Sequence, residues 1–107
     1  MSTAKDDIQT LTRIIIQEYQ PDSIILFGSQ ARGDAGDDSD IDLLVVSDRE
    51  KDLPLVKRGL SLRLKMAKVR TPWELLIYTK AEVEKYKTVR QSFNAAVERE
   101  GVVLYGQ

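Results

Sequence analysis

Three short apolar runs limit the folds open to this chain of 107 residues. They are residues 23–27 (SIILF), 41–47 (IDLLVVS) and 73–79 (WELLIYT). Each is rich in β-branched or aromatic side chains and shorter than an ordinary buried helix. We therefore predict three β-strands, and the run at residues 102–105 (VVLY) predicts a fourth at the edge of the sheet.

Helix signals fill the intervals between these strands. Thr3 and Asp6 approximate a capping box at the start of an amphipathic helix over residues 3–19, which Pro21 ends. A long helix is predicted over residues 53–69, opened by Asp52 and Pro54. Strands that alternate with helices predict an α/β (α+β) fold, a small mixed sheet with helices packed on it, in a single domain over residues 1–107.

The remaining elements are short. Residues 29–33 form one or two helical turns, and residues 34–39 are a loop. Thr79 and Glu82 form a capping box for a helix that runs to about Tyr86. A last helix covers residues 92–99 and ends at Gly101.

The predicted long helix carries two apolar stripes on opposite sides. The first consists of Leu53, Val56, Leu60, Leu64 and Ala67, and the second of Leu55, Leu62, Met66 and Val69. Basic residues fill a gap between the stripes: Lys57, Arg58, Lys65 and Lys68. A helix on a small sheet needs one buried stripe. The other is covered either by a helix of the same domain or by an interface with a partner protein or a second copy.

Composition removes several classes of chemistry. The chain has no cysteine and no histidine, which excludes disulfides, thiolate catalysis, the usual zinc sites and a histidine base. A metal would be held by oxygen ligands, which suits Mg²⁺, Mn²⁺ or Ca²⁺. A net charge of −1 gives no general basic field, so we expect no direct nucleic-acid binding. No signal-peptide core and no run of ~20 apolar residues is present, so we expect a cytoplasmic protein that does not bind membranes.

The stretch from Gly28 to Asp42 carries the functional signal. Gly28 lets the backbone approach a ligand, and Ser29 begins a short helix whose N–H groups and hydroxyl favour phosphate. Asp40 and Asp42 are two residues apart in a strand, so their carboxylates share one face. Two such carboxylates repel each other unless a cation lies between them, and Mg²⁺ chelated by a nucleoside triphosphate fits that position.

Gly-Ser, ten residues and Asp-x-Asp together resemble the signature of the DNA polymerase β-like nucleotidyltransferase superfamily. The fuller string GSQARGDAGDDSDIDLLVV is similar to the minimal nucleotidyltransferases, small prokaryotic proteins that act as antitoxins beside HEPN-domain toxins. The later segments WELLIYTKAEVEKY and VEREGVVLYG are also similar to the end of these domains, so the resemblance covers nearly the whole chain.

The resemblance implies a nucleotidyltransferase-like fold and a set of site residues. Gly28 and Ser29 would hold the triphosphate of ATP, while Asp40 and Asp42 would bind two Mg²⁺ ions. The family takes a third metal-binding and catalytic carboxylate from a neighbouring strand, generally an aspartate. Glu74 occupies the matching position here, one methylene longer than that aspartate.

The implied reaction is transfer of AMP from ATP to a hydroxyl, in this family a tyrosine of a HEPN-domain toxin partner, which makes the protein an antitoxin. Two alternatives remain open at this point. The same fold could neutralise its toxin by binding alone, without catalysis. It could also modify a small molecule, as the aminoglycoside nucleotidyltransferases do.

Overall fold

A computed structural model of the chain describes residues 3–33, 40–87 and 101–106. Within them, four strands form one sheet in the order β3-β2-β1-β4. The strands are β1 (Ser23–Phe27), β2 (Ile41–Val46), β3 (Trp73–Tyr78) and β4 (Val102–Tyr105). Strand β1 is antiparallel to β2 and β4, whereas β2 and β3 are parallel. The sheet is therefore mixed, with β4 at one edge, as the apolar runs predicted.

The first helix, α1 (Ala4–Tyr19), has both ends fixed by local hydrogen bonds. The Asp6 amide donates to Thr3 Oγ1 at 3.1 Å, and the Thr3 amide donates to the Asp6 carboxylate at 3.2 Å. At the other end, Gln20 adopts a left-handed conformation and its amide donates to the Ile16 carbonyl. The predicted capping box and the predicted end before Pro21 are both confirmed.

One face of the sheet is packed against α1 and the helix α3 (Leu60–Met66). The alternating residues Ile41, Leu43 and Val45 of β2 point into this core, together with Leu75 and Ile77 of β3. The helices contribute buried side chains to the same cluster: Leu11, Ile14, Ile15 and Tyr19 from α1, and Leu62 and Met66 from α3. Because strand side chains alternate, the residues between these positions project from the opposite face.

The prediction of one long helix over residues 53–69 is wrong. A 3₁₀ turn covers Leu55–Lys57, Arg58 is extended, and α3 begins only at Leu60. Gly59 separates the two pieces, with a left-handed φ of 75°. A β-carbon at Gly59 would overlap Ile77 Cδ1, so glycine lets this backbone lie directly against β3. Contact with the sheet therefore replaces one continuous helix by two short ones.

Arg58 was predicted with three lysines in a gap between the apolar stripes, but it is buried, with 4% of its surface exposed. Its guanidinium donates twice to the Glu82 carboxylate, at 2.6 and 3.2 Å, and to the carbonyls of Leu53 and Ile77, each at 3.0 Å. Glu82 holds the pKa of this guanidinium above its usual range, and Arg58 lowers the pKa of Glu82. Arg58 thus belongs to a buried ion pair and not to the surface.

Glu82 also takes part in the predicted capping box of α4 (Lys80–Lys87). The Glu82 amide donates to Thr79 Oγ1 at 3.1 Å, and the Thr79 amide donates to Glu82 Oε1 at 2.8 Å. A second carboxylate, that of Glu50, accepts from the Gly59 amide at 2.8 Å and from the Tyr19 hydroxyl at 2.7 Å. These two glutamates fasten the segment between β2 and β3 to α1 and α4.

The predicted loop over residues 34–39 and the predicted helix over residues 92–99 lie outside the described residues. In the part of the chain that the structure does describe, no helix combines the length and the apolar character needed to cross a membrane.

Candidate functional site

Asp42 and Glu74 lie side by side in the sheet. Parallel pairing of β2 with β3 places Asp42 opposite Glu74, and antiparallel pairing with β1 places Asp42 opposite Phe27. Neighbouring strands are about 4.8 Å apart, so paired residues project from the same face. That face is the one turned away from α1 and α3. The two acids are thus brought together on that face of the sheet, where Glu74 is exposed and Asp42 is half-buried.

Gly28 makes room for the Asp42 carboxylate. It caps the short helix α2 (Ser29–Arg32) in a conformation with a φ of 75°, outside the range that other residues prefer. A β-carbon at this position would overlap Asp42 Oδ2. Sequence reasoning assigned Gly28 to close approach of a ligand. The structure adds that glycine is needed for the carboxylate of this chain itself.

Ser29 begins α2 and is half-buried. In this single turn, the amides of Ala31 and Arg32 donate to the Gly28 carbonyl, and the amide of Gly33 donates to the Ser29 carbonyl. The Ser29 amide belongs to the first turn, whose N–H groups have no acceptor within the helix. The serine therefore directly follows Gly28, the residue that contacts Asp42.

Asp42 is the centre of the negative charge at this site. Its pKa is raised above the usual range, first by burial and then by repulsion from Glu74 and Asp40. Asp40 is exposed and immediately precedes β2, two residues from Asp42. The ionised form of Asp42 is thus disfavoured by its own surroundings, and a bound cation would relieve that cost.

Several contacts fix the start of β3, and hence Glu74. The Ile41 amide donates to the Pro72 carbonyl at 2.9 Å, which ties the first residue of β2 to the residue before β3. The Thr71 hydroxyl donates to the carboxylate of Asp7 on α1, a buried acid. Sequence reasoning missed Asp7, because nothing near it in the chain distinguishes it from a second acidic residue in a first helical turn.

Helix α3 holds the same strand from the core side. The Trp73 indole Nε1 donates to the Met66 carbonyl at 3.2 Å, and the Arg63 guanidinium donates to the Leu75 carbonyl at 2.9 Å. Burial lowers the pKa of Arg63. The two residues on either side of Glu74 are therefore anchored, while Glu74 itself projects from the other face.

Comparison with known proteins assigns the family. The family model described as "Nucleotidyltransferase domain" matches residues 8–104. The chain belongs to this family. The prediction that it is a nucleotidyltransferase is thereby confirmed. The match includes β1, α2, β2 and β3, the elements that carry the candidate site.

Two relatives from Methanocaldococcus jannaschii are named as candidate protein adenylyltransferases. One is 32% identical over 98 residues, covering 92% of this chain and 88% of the relative. The other is 39% identical over 84 residues, covering 77% of this chain and 76% of the relative.

Solved structures share the fold. A candidate nucleotidyltransferase from Sulfolobus solfataricus gives a TM-score of 0.65 at 20% identity, over 94% of this chain and 78% of that one. A toxin–antitoxin structure with AMP-PNP gives 0.59 at 24% identity, over 97% and 74%. A further candidate nucleotidyltransferase gives 0.52 at 30% identity, over 77% and 88%. The predicted α/β fold with a small mixed sheet is confirmed.

The acidic side chains of this nucleotidyltransferase supply only part of a ligand set for Mg²⁺. Among the described residues, no three acidic side chains are close enough together to enclose a metal ion. The predicted ligands Asp40, Asp42 and Glu74 therefore do not form a closed cage. Mg²⁺ is usually held by one or two carboxylates together with substrate phosphates and water. Asp42 and Glu74 offer two carboxylates that do not enclose an ion. Such a pair fits a metal that arrives with a triphosphate.

Two cavities lined by described residues lie away from the acids of the site. One of about 480 Å³ is lined by the α1 residues Ile8, Thr12 and Ile16 together with Leu104 of β4. Another of about 260 Å³ is lined by Tyr19, Glu50 and Leu60, among others. Neither lining includes Asp40, Asp42 or Glu74.

Proposed function

We propose that this nucleotidyltransferase transfers AMP from ATP to a hydroxyl group of a protein. The observation that carries the proposal is the pairing of Asp42 with Glu74 beside Gly28. It supplies two adjacent carboxylates and a close backbone approach on one face of the sheet. The relatives named as candidate protein adenylyltransferases, one aligned over 92% of this chain, support a protein as acceptor.

Each residue of the site has a defined part in this proposal. The backbone at Gly28 and Ser29 holds the triphosphate at the start of α2. Asp40 and Asp42 bind the metal that accompanies the triphosphate. Glu74 faces the acceptor, because it is exposed and lies on the outer side of Asp42 in the sheet.

The acceptor oxygen attacks the α-phosphorus in line with the leaving pyrophosphate, and Glu74 takes the proton of the hydroxyl as the new P–O bond forms. Two Mg²⁺ ions bound with the triphosphate would neutralise its charge and lower the pKa of the attacking hydroxyl.

The acceptor that we propose is a toxin partner, specifically a tyrosine of a HEPN-domain toxin, with this chain as the cytoplasmic antitoxin. The likeness of its motif to the minimal nucleotidyltransferases supports this assignment. A structural neighbour that is a toxin–antitoxin with AMP-PNP is consistent with it. Modification of one hydroxyl would inactivate the toxin and release the antitoxin for another cycle.

The test is transfer of label from α-labelled ATP, with Mg²⁺, to the protein encoded by the neighbouring gene. Label on that protein, lost in an Asp40→Asn and Asp42→Asn variant, is the expected result. Asp52→Asn is the matched control, since it makes the same chemical change at an exposed loop position. Absence of label would refute the proposed transfer to that protein.

A non-catalytic antitoxin is the second candidate. The observation that favours it is the lack of a closed carboxylate cage, together with glutamate in place of the usual aspartate at position 74. It predicts that the variant without Asp40 and Asp42 still forms a complex with the toxin and still protects growing cells. Loss of protection with complex formation retained would exclude it.

A further inference from the structure

An exposed apolar surface lies on the segment between β2 and β3. Val56 of the 3₁₀ turn is 86% exposed, and Leu60 and Leu64 of α3 are 68% and 71% exposed. We call these three residues the apolar ridge. Leu53 borders it in the chain and is 39% exposed. In the described residues, the other exposed large apolar side chains all belong to the edge strand β4.

The core of this chain does not use the apolar ridge. Leu62 and Met66, on the opposite side of α3, are 2% and 0% exposed and supply the contacts of this helix with the sheet. Leu60 and Leu64 are four residues apart and form neighbouring positions on the outer side. Of the two stripes recognised in the sequence, one therefore packs inward and the other is left at the surface.

Lysines accompany the apolar ridge. Lys57 follows Val56, Lys65 is adjacent to Leu64 in α3, and Lys68 follows the end of α3; all three are exposed. Residues 53–73 contain no acidic residue. Of the three arginines in this range, Arg58 points to Glu82 and Arg63 to backbone carbonyls, whereas Arg70 is exposed. The exposed positive charge of this range therefore comes from the three lysines and Arg70.

The apolar ridge and the candidate site lie on different sides of the sheet. Helix α3 packs on the face that carries Leu75 and Ile77, whereas Asp42 and Glu74 project from the opposite face. Substitutions on the ridge should therefore leave nucleotide handling unchanged. A protein bound there would be held to the enzyme by contacts separate from those of its reacting hydroxyl.

We propose that the apolar ridge and its lysines bind an acidic amphipathic helix of a partner protein. A pair of leucines at i and i+4 forms the kind of ridge that packs into the groove of another helix. Lysines along it select a partner whose apolar stripe is flanked by Asp and Glu. A second copy in a symmetric contact would set these lysines against the same lysines, which disfavours a homodimer through this face.

Binding at the apolar ridge stands apart from transfer, but its use in presenting an acceptor rests on the proposed function. The first experiment therefore measures binding alone. Two labelled peptides of about 18 residues, five turns of helix, share one leucine stripe and differ only in flanking Glu or Lys. Fluorescence anisotropy with the full chain should show the Glu peptide binding at least about tenfold more tightly than the Lys peptide.

Leu60→Ser with Leu64→Ser should weaken binding of the Glu peptide by at least about tenfold, since it removes most of the apolar area that the ridge offers to a partner. Val103→Ser is the matched control, because Val103 is an apolar residue 51% exposed on β4. A second variant, with Lys57, Lys65 and Lys68 each changed to Glu, should prefer the Lys peptide. It reverses charge without touching a buried residue.

Three results would overturn the proposal: equal binding of both peptides, no binding of either, or binding that survives the leucine changes. Sedimentation showing a dimer that the same leucine changes dissociate would also overturn it, with a second copy as the occupant. ATP binding is measured on the same samples. Loss of peptide binding with ATP binding intact identifies a defect of the apolar ridge alone. Absence of transfer with peptide binding intact counts against the proposed reaction alone.

Discussion

The α-carbon of Gly28 lies so close to the Asp42 carboxylate that any side chain at position 28 would overlap Oδ2. Two parts of the motif that are widely separated in the chain are therefore in direct steric contact. The glycine that begins α2 and the aspartate in β2 are paired through the neighbouring strand residue Phe27. A change at one position therefore displaces the other.

Gly28→Ala should reduce nucleotidyl transfer by about 100-fold, because it displaces Asp42 from its place beside Glu74. Gly33→Ala is the control: Gly33 also has a positive φ, 79° against 75°, but among the described residues no atom beyond its chain neighbours lies within 4 Å of its added β-carbon. Each variant should lose at least about 1 kcal/mol of stability from backbone strain at a positive φ, Gly33 in the left-handed helical region and Gly28 outside it. Initial rates with ATP and acceptor, measured beside thermal unfolding, separate the two effects. Equal loss of activity in both would contradict the steric explanation.

Glu74→Gln should lower the rate of transfer by at least about 100-fold and leave ATP affinity nearly unchanged, since the amide cannot take the hydroxyl proton. Glu74→Asp should retain more activity than Glu74→Gln, because it keeps the carboxylate and moves it by one methylene. Steady-state kinetics with isothermal titration of ATP distinguish these effects. A glutamine variant as active as the unchanged protein would remove Glu74 from the mechanism.

Asp42→Asn should stabilise the metal-free protein at neutral pH. The pKa of Asp42 is raised on folding, so its contribution to stability is present at low pH and is lost as pH rises through the folded pKa. Asparagine carries no charge, so the variant does not lose this stability as pH rises. Its Tm should exceed that of the unchanged protein at neutral pH, and the two Tm values should become equal in acid. Thermal unfolding from acidic to neutral pH measures it, with Asp52→Asn as a control that makes the same chemical change at an exposed loop position.

The same residue gives a prediction for the metal and nucleotide. Ligand that binds only the folded state at 100 times its Kd adds about 2.7 kcal/mol of stability. Mg²⁺ with a non-hydrolysable ATP analogue should therefore raise the Tm of the unchanged protein, and EDTA should reverse the increase. The Asp42→Asn variant should show little response. An equal increase in both proteins would place the ligand elsewhere.

Arg58→Ala should destabilise the fold by about 3 kcal/mol, since it leaves Glu82 without its partner in a mostly buried pair. Lys57→Ala, the exposed neighbour, should change stability by less than about 0.5 kcal/mol. Arg58 lowers the pKa of Glu82, so this stabilisation is present above the ordinary value of 4.5 and is lost as pH falls through the folded pKa. Denaturant unfolding at neutral and acidic pH should show the difference between Arg58→Ala and the unchanged protein narrowing in acid.

Local patterns predicted much of this fold. The strands around the motif follow from apolar runs of a few residues, and the two capping boxes, Thr3 with Asp6 and Thr79 with Glu82, involve residues three apart. Each signal lies within one element. The sequence also placed Glu74 in the strand that the structure pairs with β2, although the parallel register that sets it beside Asp42 is visible only in the folded chain.

Features that depend on distant partners could not be predicted in this way. Gly59 interrupts the long helix because its backbone meets Ile77, and Arg58 turns inward because Glu82, 24 residues later, receives it. Neither contact can be inferred from the helical periodicity of residues 53–69. Asp7 was missed for the same reason, since its partner Thr71 is 64 residues away.

The segment from Ser47 to Pro72 joins two strands whose pairing is fixed by their own hydrogen bonds. Its surface can therefore accumulate substitutions while the distance between Asp42 and Glu74 stays constant. In a lineage of such enzymes, partner choice would evolve in this crossover segment and the reaction would be conserved in the strands on either side of it. A new specificity would then require changes in one contiguous stretch of the gene.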